Sequence, residues 1–155
     1  MKSNTRFSAS PIQILLACAA LLLALSTTAF AQERTYINPS SPSGTGSPFS
    51  GAVLSGNTLY ISGMLGVVNG ERPADAKVEA RNMLDSIKAT LAEAGMTMDD
   101  LVYVQIFCSD VSDYAAFNEV YRTYFTQEFP ARAFVGAGTL LFNARFEMQS
   151  IAVKR

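Results

Sequence analysis

The sequence predicts an α+β fold in which a single sheet carries helices on one face. Two observations support this prediction: the order of strand-like and helix-like segments, and the helical spacing of apolar residues in two of them. The order is strand, strand, helix, strand, helix, strand, strand, and it follows a segment rich in proline and glycine between residues 38 and 48. Such a segment cannot sustain a regular element, so we expect an arm or loop there.

A hairpin and a long helix are predicted directly after this segment. Apolar residues 52–54 and 59–61 flank Ser55-Gly56-Asn57-Thr58, which has the composition of a hairpin turn. Between residues 74 and 94 apolar side chains recur at helical spacing, and Gly95 stands where a C-cap belongs. The apolar positions of this predicted helix are Ala80, Met83, Leu84, Ile87 and Leu91.

The second half predicts one strand, one helix and two further strands. Residues 101–108 are typical of a strand, and Asp113 is a candidate N-cap for the second helix. Pro130 ends that helical region before the last strands, near 132–138 and 145–153. One apolar stripe of the second helix is predicted to pack in the core: Phe117, Val120, Tyr121, Tyr124 and Phe125.

The N-terminus has the layout of a secretory signal peptide, which predicts a periplasmic or secreted protein. Lys2 and Arg6 precede an apolar run over residues 14–25, and Ala29-Phe30-Ala31 offers a cleavage site before Gln32. An uncleaved membrane anchor and a lipoprotein signal cut before Cys18 are the alternatives, and the second is disfavoured because most of the apolar run follows that cysteine. We therefore expect residues 1–31 to be removed, residues 32–155 to form one domain, and no membrane association after cleavage.

Composition excludes several classes of function for the mature chain. Loss of two basic residues with the signal leaves 10 basic against 13 acidic residues and no basic stripe, which disfavours a nucleic-acid partner. The chain has no histidine, and removal of Cys18 leaves only Cys108, so we predict no metal site and no intrachain disulfide. No phosphate-binding glycine loop appears either, because no helix follows Gly136-Ala137-Gly138, and we predict no cofactor. By alternation Cys108 shares a strand face with Val102, Val104 and Ile106, which predicts a buried thiol. Proton transfer would fall to a carboxylate, a tyrosine, a lysine or water.

Two opposite charges lie in the apolar runs of the last strands. Arg132 follows Pro130-Ala131 and continues into an apolar strand, and Glu147 lies within 145–153. A guanidinium on a buried strand costs several kcal/mol to desolvate unless an anion pairs with it. The partner could be Glu147, as a structural ion pair, or the carboxylate of a ligand, which a guanidinium binds in bidentate fashion.

The surrounding pattern resembles the signature of the Rid family (RidA/YjgF), the reactive-intermediate imine deaminases. The resemblance rests on Pro130-Ala131-Arg132, on the fifteen-residue step from Arg132 to Glu147, and on the ending Ile151-Ala152-Val153. It covers roughly residues 34–155, because four upstream blocks follow in the family's order. These blocks are Pro48-Phe49-Ser50-Gly51-Ala52, Leu59-Tyr60-Ile61-Ser62-Gly63, the segment 80–88 and the segment 113–121.

The resemblance implies a chorismate-mutase-like single mixed sheet with two helices on one face, in homotrimers with ligand clefts between subunits. It implies hydrolysis of 2-imino or enamino acids to 2-keto acids and ammonia, with an imino or keto acid as the small-molecule partner. Arg132 matches the arginine that grips the substrate carboxylate, and Glu147 matches the glutamate that positions the attacking water. The other positions at which relatives contact the ligand correspond to Phe49, Ser62, Gly63, Asn118 and Phe134.

Departures from the family pattern keep alternatives open. Phe49 stands where many of these deaminases carry a tyrosine, Phe134 replaces a smaller residue, often cysteine, and Met64 stands where glutamine is common. The predicted pocket is tighter and more apolar, which favours hydrophobic imino acids. The alternative function is a non-catalytic small-carboxylate binding protein of the same fold, whereas the ribonuclease activity associated with some relatives fits an acidic chain poorly.

Overall fold

The computed structural model describes residues 33–39 and 46–155 of the chain. The predicted signal peptide lies outside these residues, as does much of the predicted arm. No helix within the described ranges is long and apolar enough to cross a membrane. The elements are β1 (Arg34–Ile37), β2 (Ala52–Ser55), β3 (Thr58–Leu65), α1 (Ala76–Glu93), β4 (Leu101–Cys108), α2 (Tyr114–Tyr121), β5 (Ala131–Gly136) and β6 (Phe146–Val153).

The strands form one mixed sheet in the order β1-β2-β3-β6-β4-β5, which confirms the predicted fold class. Every neighbouring pair is antiparallel except β4 and β5, which run parallel because α2 connects them. Strand β5 therefore lies at one edge of the sheet. Strand β1 at the other edge was not predicted; it forms by pairing with β2, where Ile37 lies opposite Ala52 and is buried.

Both helices cover one face of the sheet and enclose the core. The apolar side of α1 is buried as its spacing predicts, and Gly95 after the helix adopts a positive φ of 68°. Asp75 caps α1 by accepting a 2.7 Å hydrogen bond from the backbone N–H of Lys77. The predicted cap of α2 is wrong: Asp113 makes no capping hydrogen bond, because a 3₁₀ turn over Val111–Asp113 precedes the helix.

The strand face predicted for Cys108 is correct except at one position. A bulge between Leu101 and Tyr103 interrupts the pairing of β4 with β6 and turns Val102 towards solvent, whereas Val104 and Ile106 stay buried. The thiol of Cys108 is buried, and this burial raises its pKa. Simple alternation therefore holds only beyond the bulge.

A buried ion pair fixes the start of β6 against α1. The carboxylate of Glu79 is fully buried and accepts hydrogen bonds from the guanidinium of Arg145 at 2.9 Å and from the backbone N–H of Phe146 at 3.2 Å. Gly66 makes room for this contact, because a Cβ at that position would lie 2.0 Å from the carbonyl oxygen of Glu79. Asp113 lies 3.6 Å from the same guanidinium. This network sets the position at which β6 begins, one residue before Glu147.

Candidate active site

Strand register places Arg132 and Glu147 on opposite faces of the sheet. Arg132 on β5 lies beside Val104 of β4, whereas Glu147 on β6 lies beside Phe107 of the same strand. Residues three apart on a regular strand point to opposite faces, and Val104 is buried under the helices. Arg132 therefore faces the helical layer, Glu147 lies on the open face, and within one chain they are not an ion pair.

Arg132 is held by polar and aromatic groups. Its Nη1 donates to Oδ1 of Asn118 at 2.7 Å, and its Nη2 lies 3.4 Å from the hydroxyl of Tyr114. Its Cζ is 4.8 Å from the ring centroid of Tyr121 and 6.0 Å from that of Phe134. These ring faces stabilise a cation without neutralising it. No carboxylate of the described residues lies within 4.0 Å of the guanidinium.

The guanidinium of Arg132 borders a cavity of about 160 Å³ between α2 and β5. The hydroxyl of Tyr121 is buried and has no hydrogen-bond partner in the described part of the chain. Burial raises the pKa of Tyr121 to about 12, an effect that the charge of Arg132 partly opposes. The hydroxyl is therefore neutral at physiological pH and able to donate to an anion. The residues that line the cavity are Asn118, Tyr121, Arg122, Phe129, Pro130 and Arg132.

Glu147 lies against Gly63 on the open face. A Cβ built on Gly63 would lie 2.0 Å from Oε1 of Glu147, so only glycine leaves space for the carboxylate there. An irregularity in the pairing of β3 with β6, between Ile61 and Met64, accompanies this close approach. The structure therefore brings together two of the positions that the resemblance assigned to the site.

Ser62 and Phe49 lie near the start of strand β2. The hydroxyl of Ser62 donates to the carbonyl oxygen of Ser50 at 2.7 Å, and its backbone N–H donates to that of Gly51 at 3.0 Å. Phe49 directly precedes Ser50, and 55% of its surface is exposed.

Phe134 is half-buried in an aromatic cluster and does not line the cavity beside Arg132. Its ring packs edge-on against Tyr114 at 5.0 Å and against Phe117 at 5.4 Å. The site residues that the sequence suggested thus form two groups. Arg132, Asn118 and Phe134 lie by α2 and β5, whereas Phe49, Ser62, Gly63 and Glu147 lie elsewhere on the sheet.

Sequence reasoning missed three residues around Arg132. Tyr114 contacts the guanidinium, while Tyr121 and Arg122 line the cavity beside it. The signal was present, because Asn118, Tyr121 and Arg122 stand at positions i, i+3 and i+4 of one helical segment and so share a side. The prediction that Tyr121 belongs to the core is correct for its ring, and it overlooked the hydroxyl, which has no hydrogen-bond partner among the described residues.

The family is decided by comparison with known proteins. A family model described as endoribonuclease L-PSP matches residues 40–154. The chain belongs to the Rid (YjgF/L-PSP) family.

No group of three or more acidic, cysteine or histidine side chains within the described ranges could hold a metal ion.

Curated Rid relatives align with this chain over most or nearly all of their own length. A protein of Dermatophagoides farinae named 2-iminobutanoate/2-iminopropanoate deaminase is 37% identical over 124 residues, which are 78% of this chain and 96% of the relative. An Escherichia coli protein with the same name is 35% identical over 128 residues, 79% of this chain and 99% of the relative. A protein of Pyrococcus abyssi, 36% identical over 110 residues (69% of this chain and 87% of the relative), is named only as a RutC family protein.

Solved Rid structures share the fold. The Escherichia coli YjgF product matches with a TM-score of 0.69 and 34% identity, covering 78% of this chain and all of the relative. Escherichia coli TdcF with bound serine matches with a TM-score of 0.70 and 30% identity over the same shares. At this identity the likeness extends beyond the fold to the family.

Proposed function

We propose that this protein hydrolyses 2-imino acids, or their enamine tautomers, to 2-keto acids and ammonia. The observation that carries the proposal is the guanidinium of Arg132, which has no carboxylate partner among the described residues and is held by Asn118 and aromatic rings at the edge of a cavity. Such a group is suited to bind the carboxylate of a small acid. Relatives named as deaminases of 2-iminobutanoate and 2-iminopropanoate support the same substrate class.

The proposed chemistry requires few groups. Arg132 holds the substrate carboxylate, and Glu147 accepts a hydrogen bond from a water molecule directed at the imine carbon. As the C–O bond forms, one water proton passes through Glu147 to the nitrogen and gives a carbinolamine. Transfer of the carbinolamine hydroxyl proton to the nitrogen, through the same carboxylate, then allows the C–N bond to break, which releases ammonia and leaves the carbonyl of the keto acid. Because imines hydrolyse unaided in water, positioning of both reactants accounts for most of the catalysis needed.

We propose further that two copies of the chain complete each site, in a homotrimer with clefts between subunits. Arg132 lies on the edge strand β5, where it can approach the open sheet face of a neighbour that carries Glu147. That open face also needs cover, because a row of apolar and aromatic side chains crosses five strands on it. This row comprises Tyr36, Val53, Tyr60, Ile151 and Tyr103.

The N-terminal sequence supports export of the protein to the periplasm or the medium. We propose that residues 1–31 are cleaved, which leaves a mature chain that begins at Gln32. Intact mass of the protein recovered from the periplasm of an expressing bacterium tests this. Recovery of the full 155-residue chain from the cytoplasm would contradict it.

Imine turnover tests the proposed activity. An amino acid oxidase generates 2-imino acids, semicarbazide traps those that remain, and the mature protein should lower the trapped amount in a saturable manner. Arg132→Ala and Glu147→Gln should each abolish this effect, whereas Lys88→Ala, which removes an exposed charge on α1, should not change it. Binding of keto acids without turnover of any imine would instead establish the carboxylate-binding protein.

A further inference from the structure

We infer that Arg122 provides a second anion subsite and that the cavity beside Arg132 selects substrates with a second, terminal carboxylate. The ligand class is the five-carbon 2-imino and 2-keto diacids, as opposed to monoacids of the same length. This inference rests on the proposed function, since it names the substrate class of the same site. The supporting observations are two guanidinium groups, the two stacked aromatic rings that they contact, and the volume of the cavity.

Two stacked aromatic rings carry the two guanidinium groups. The rings of Tyr121 and Phe129 are nearly parallel, with an interplanar angle of 23° and 6.1 Å between centroids. Cζ of Arg132 lies 4.8 Å from the first ring centroid, and Cζ of Arg122 lies 5.9 Å from the second. The chain thus holds two cations on successive rings that line a common cavity.

Neither cation is neutralised by the described residues. No carboxylate of these ranges lies within 4.0 Å of the guanidinium of Arg122 or of Arg132. The neighbouring acid on α2, Glu119, pairs with Lys77 of α1 at 2.7 Å. Arg122 is exposed and Arg132 is partly buried, so both guanidinium groups are available to a ligand that carries two carboxylates.

Neutral donors complete the cavity. The hydroxyl of Tyr121 has no protein partner in the described chain although the residue is only 3% exposed, and a buried polar group without a partner is costly. Asn118 uses its carbonyl oxygen for Arg132, so its amide nitrogen remains to donate to a ligand. The Tyr121 hydroxyl, the Asn118 amide nitrogen and the two guanidinium groups can each donate a hydrogen bond into the cavity, which favours an anion.

The volume of the cavity suits a small acid. Cavities for drug-sized ligands measure roughly 300–1,000 Å³, whereas this one has about 160 Å³ within a single chain. Of the three residues on which the expected apolar preference rests, Phe49, Met64 and Phe134, the last packs into the aromatic cluster and does not line this cavity.

A matched pair of keto acids tests the inference. 2-Oxoglutarate and 2-oxopentanoate have the same number of carbons and differ in the terminal carboxylate. Calorimetric titration of both into the mature protein at low salt should show about tenfold tighter binding of the diacid, the gain expected for one charged hydrogen-bonded contact. Arg122→Ala should bring the ratio of the two affinities to within about twofold, and Arg122→Lys should restore part of it. The matched control Lys88→Ala removes a charge outside the cavity and should keep the ratio.

Turnover separates this inference from the proposed function. The imines generated from glutamate and from norvaline carry the same side chains as 2-oxoglutarate and 2-oxopentanoate. Their hydrolysis can therefore be compared in the deaminase assay. Turnover of both with equal efficiency, or a diacid preference that survives Arg122→Ala, would overturn the inference and leave the deaminase in place. Diacid binding that depends on Arg122, without turnover of either imine, would support the subsite and count against the deaminase.

Discussion

Substitution of Gly63 by alanine should reduce activity far more than stability. The added Cβ would lie 2.0 Å from Oε1 of Glu147 and 3.0 Å from its Cδ. Non-bonded atoms are best separated by roughly 3.5 Å, so the carboxylate must retreat by about 1.5 Å. The atoms that must move form the end of a flexible side chain, and we expect the free energy of unfolding to fall by only about 1 kcal/mol.

The effect on catalysis follows from the same displacement. A reacting group misplaced by about 1 Å can cost on the order of a hundredfold in rate, so Gly63→Ala should lower kcat/KM for imine hydrolysis by about that factor. Affinity for a keto acid should change less, because Arg132 is untouched. The assays are the semicarbazide-coupled hydrolysis and calorimetric titration with 2-oxobutanoate.

Gly66→Ala is the matched control for this prediction. Its Cβ would lie 2.0 Å from the backbone oxygen of Glu79 and 2.7 Å from the carbonyl carbon, and backbone cannot move aside as a side chain does. We therefore expect Gly66→Ala to lower the free energy of unfolding by about 3 kcal/mol. Full activity of a folded Gly63→Ala protein would refute the placement of Glu147 in the mechanism.

Three further predictions concern stability and binding. Glu79→Gln should lower the free energy of unfolding by about 3 kcal/mol in chemical denaturation, because it breaks a buried ion pair, whereas Glu119→Gln at an exposed pair should cost less than about 1 kcal/mol. Asn118→Ala should raise KM about tenfold, with a smaller change in kcat, by removing the 2.7 Å hydrogen bond that orients Arg132; an unchanged KM would contradict that role. Burial raises the pKa of Tyr121 from 10.0 to about 12, so its contribution to stability is complete below pH 10 and is lost as the pH rises towards 12. Tyr121→Phe should therefore flatten the fall of unfolding free energy over that interval, and an unaltered slope would argue against a buried hydroxyl.

Local patterns predict most of the elements because each depends on residues close in sequence. The spacing of Met83, Ile87 and Leu91 requires a helix, and the structure has α1 there. Strand β1 carries no such signal, since only Ile37 of its four residues is buried and pairing with β2 creates it. The cap of α2 was wrong because an additional 3₁₀ turn depends on Asp110, which accepts from the backbone N–H of Ser112 at 2.9 Å.

The geometry of the candidate site depends on contacts that sequence spacing does not encode. Whether Arg132 and Glu147 share a face is set by the separate registers of β5 and β6 against β4. The start of β6 depends in turn on Glu79 and Arg145, which are 66 residues apart in the chain. The apolar run around Arg132 does not encode its cavity, because the cavity forms only where α2 packs beside β5.

Subunit complementation tests the central proposal most directly. Arg132→Ala and Glu147→Gln chains should each be inactive alone, because every site in either homotrimer lacks one essential group. After the two are unfolded together and refolded at equal amounts, about a quarter of the sites in randomly assorted trimers should combine an intact Arg132 with an intact Glu147 from the neighbour. Imine hydrolysis should then return to about a quarter of the wild-type rate. No recovery in mixed trimers whose assembly is confirmed by mass would contradict a deaminase site shared between two copies.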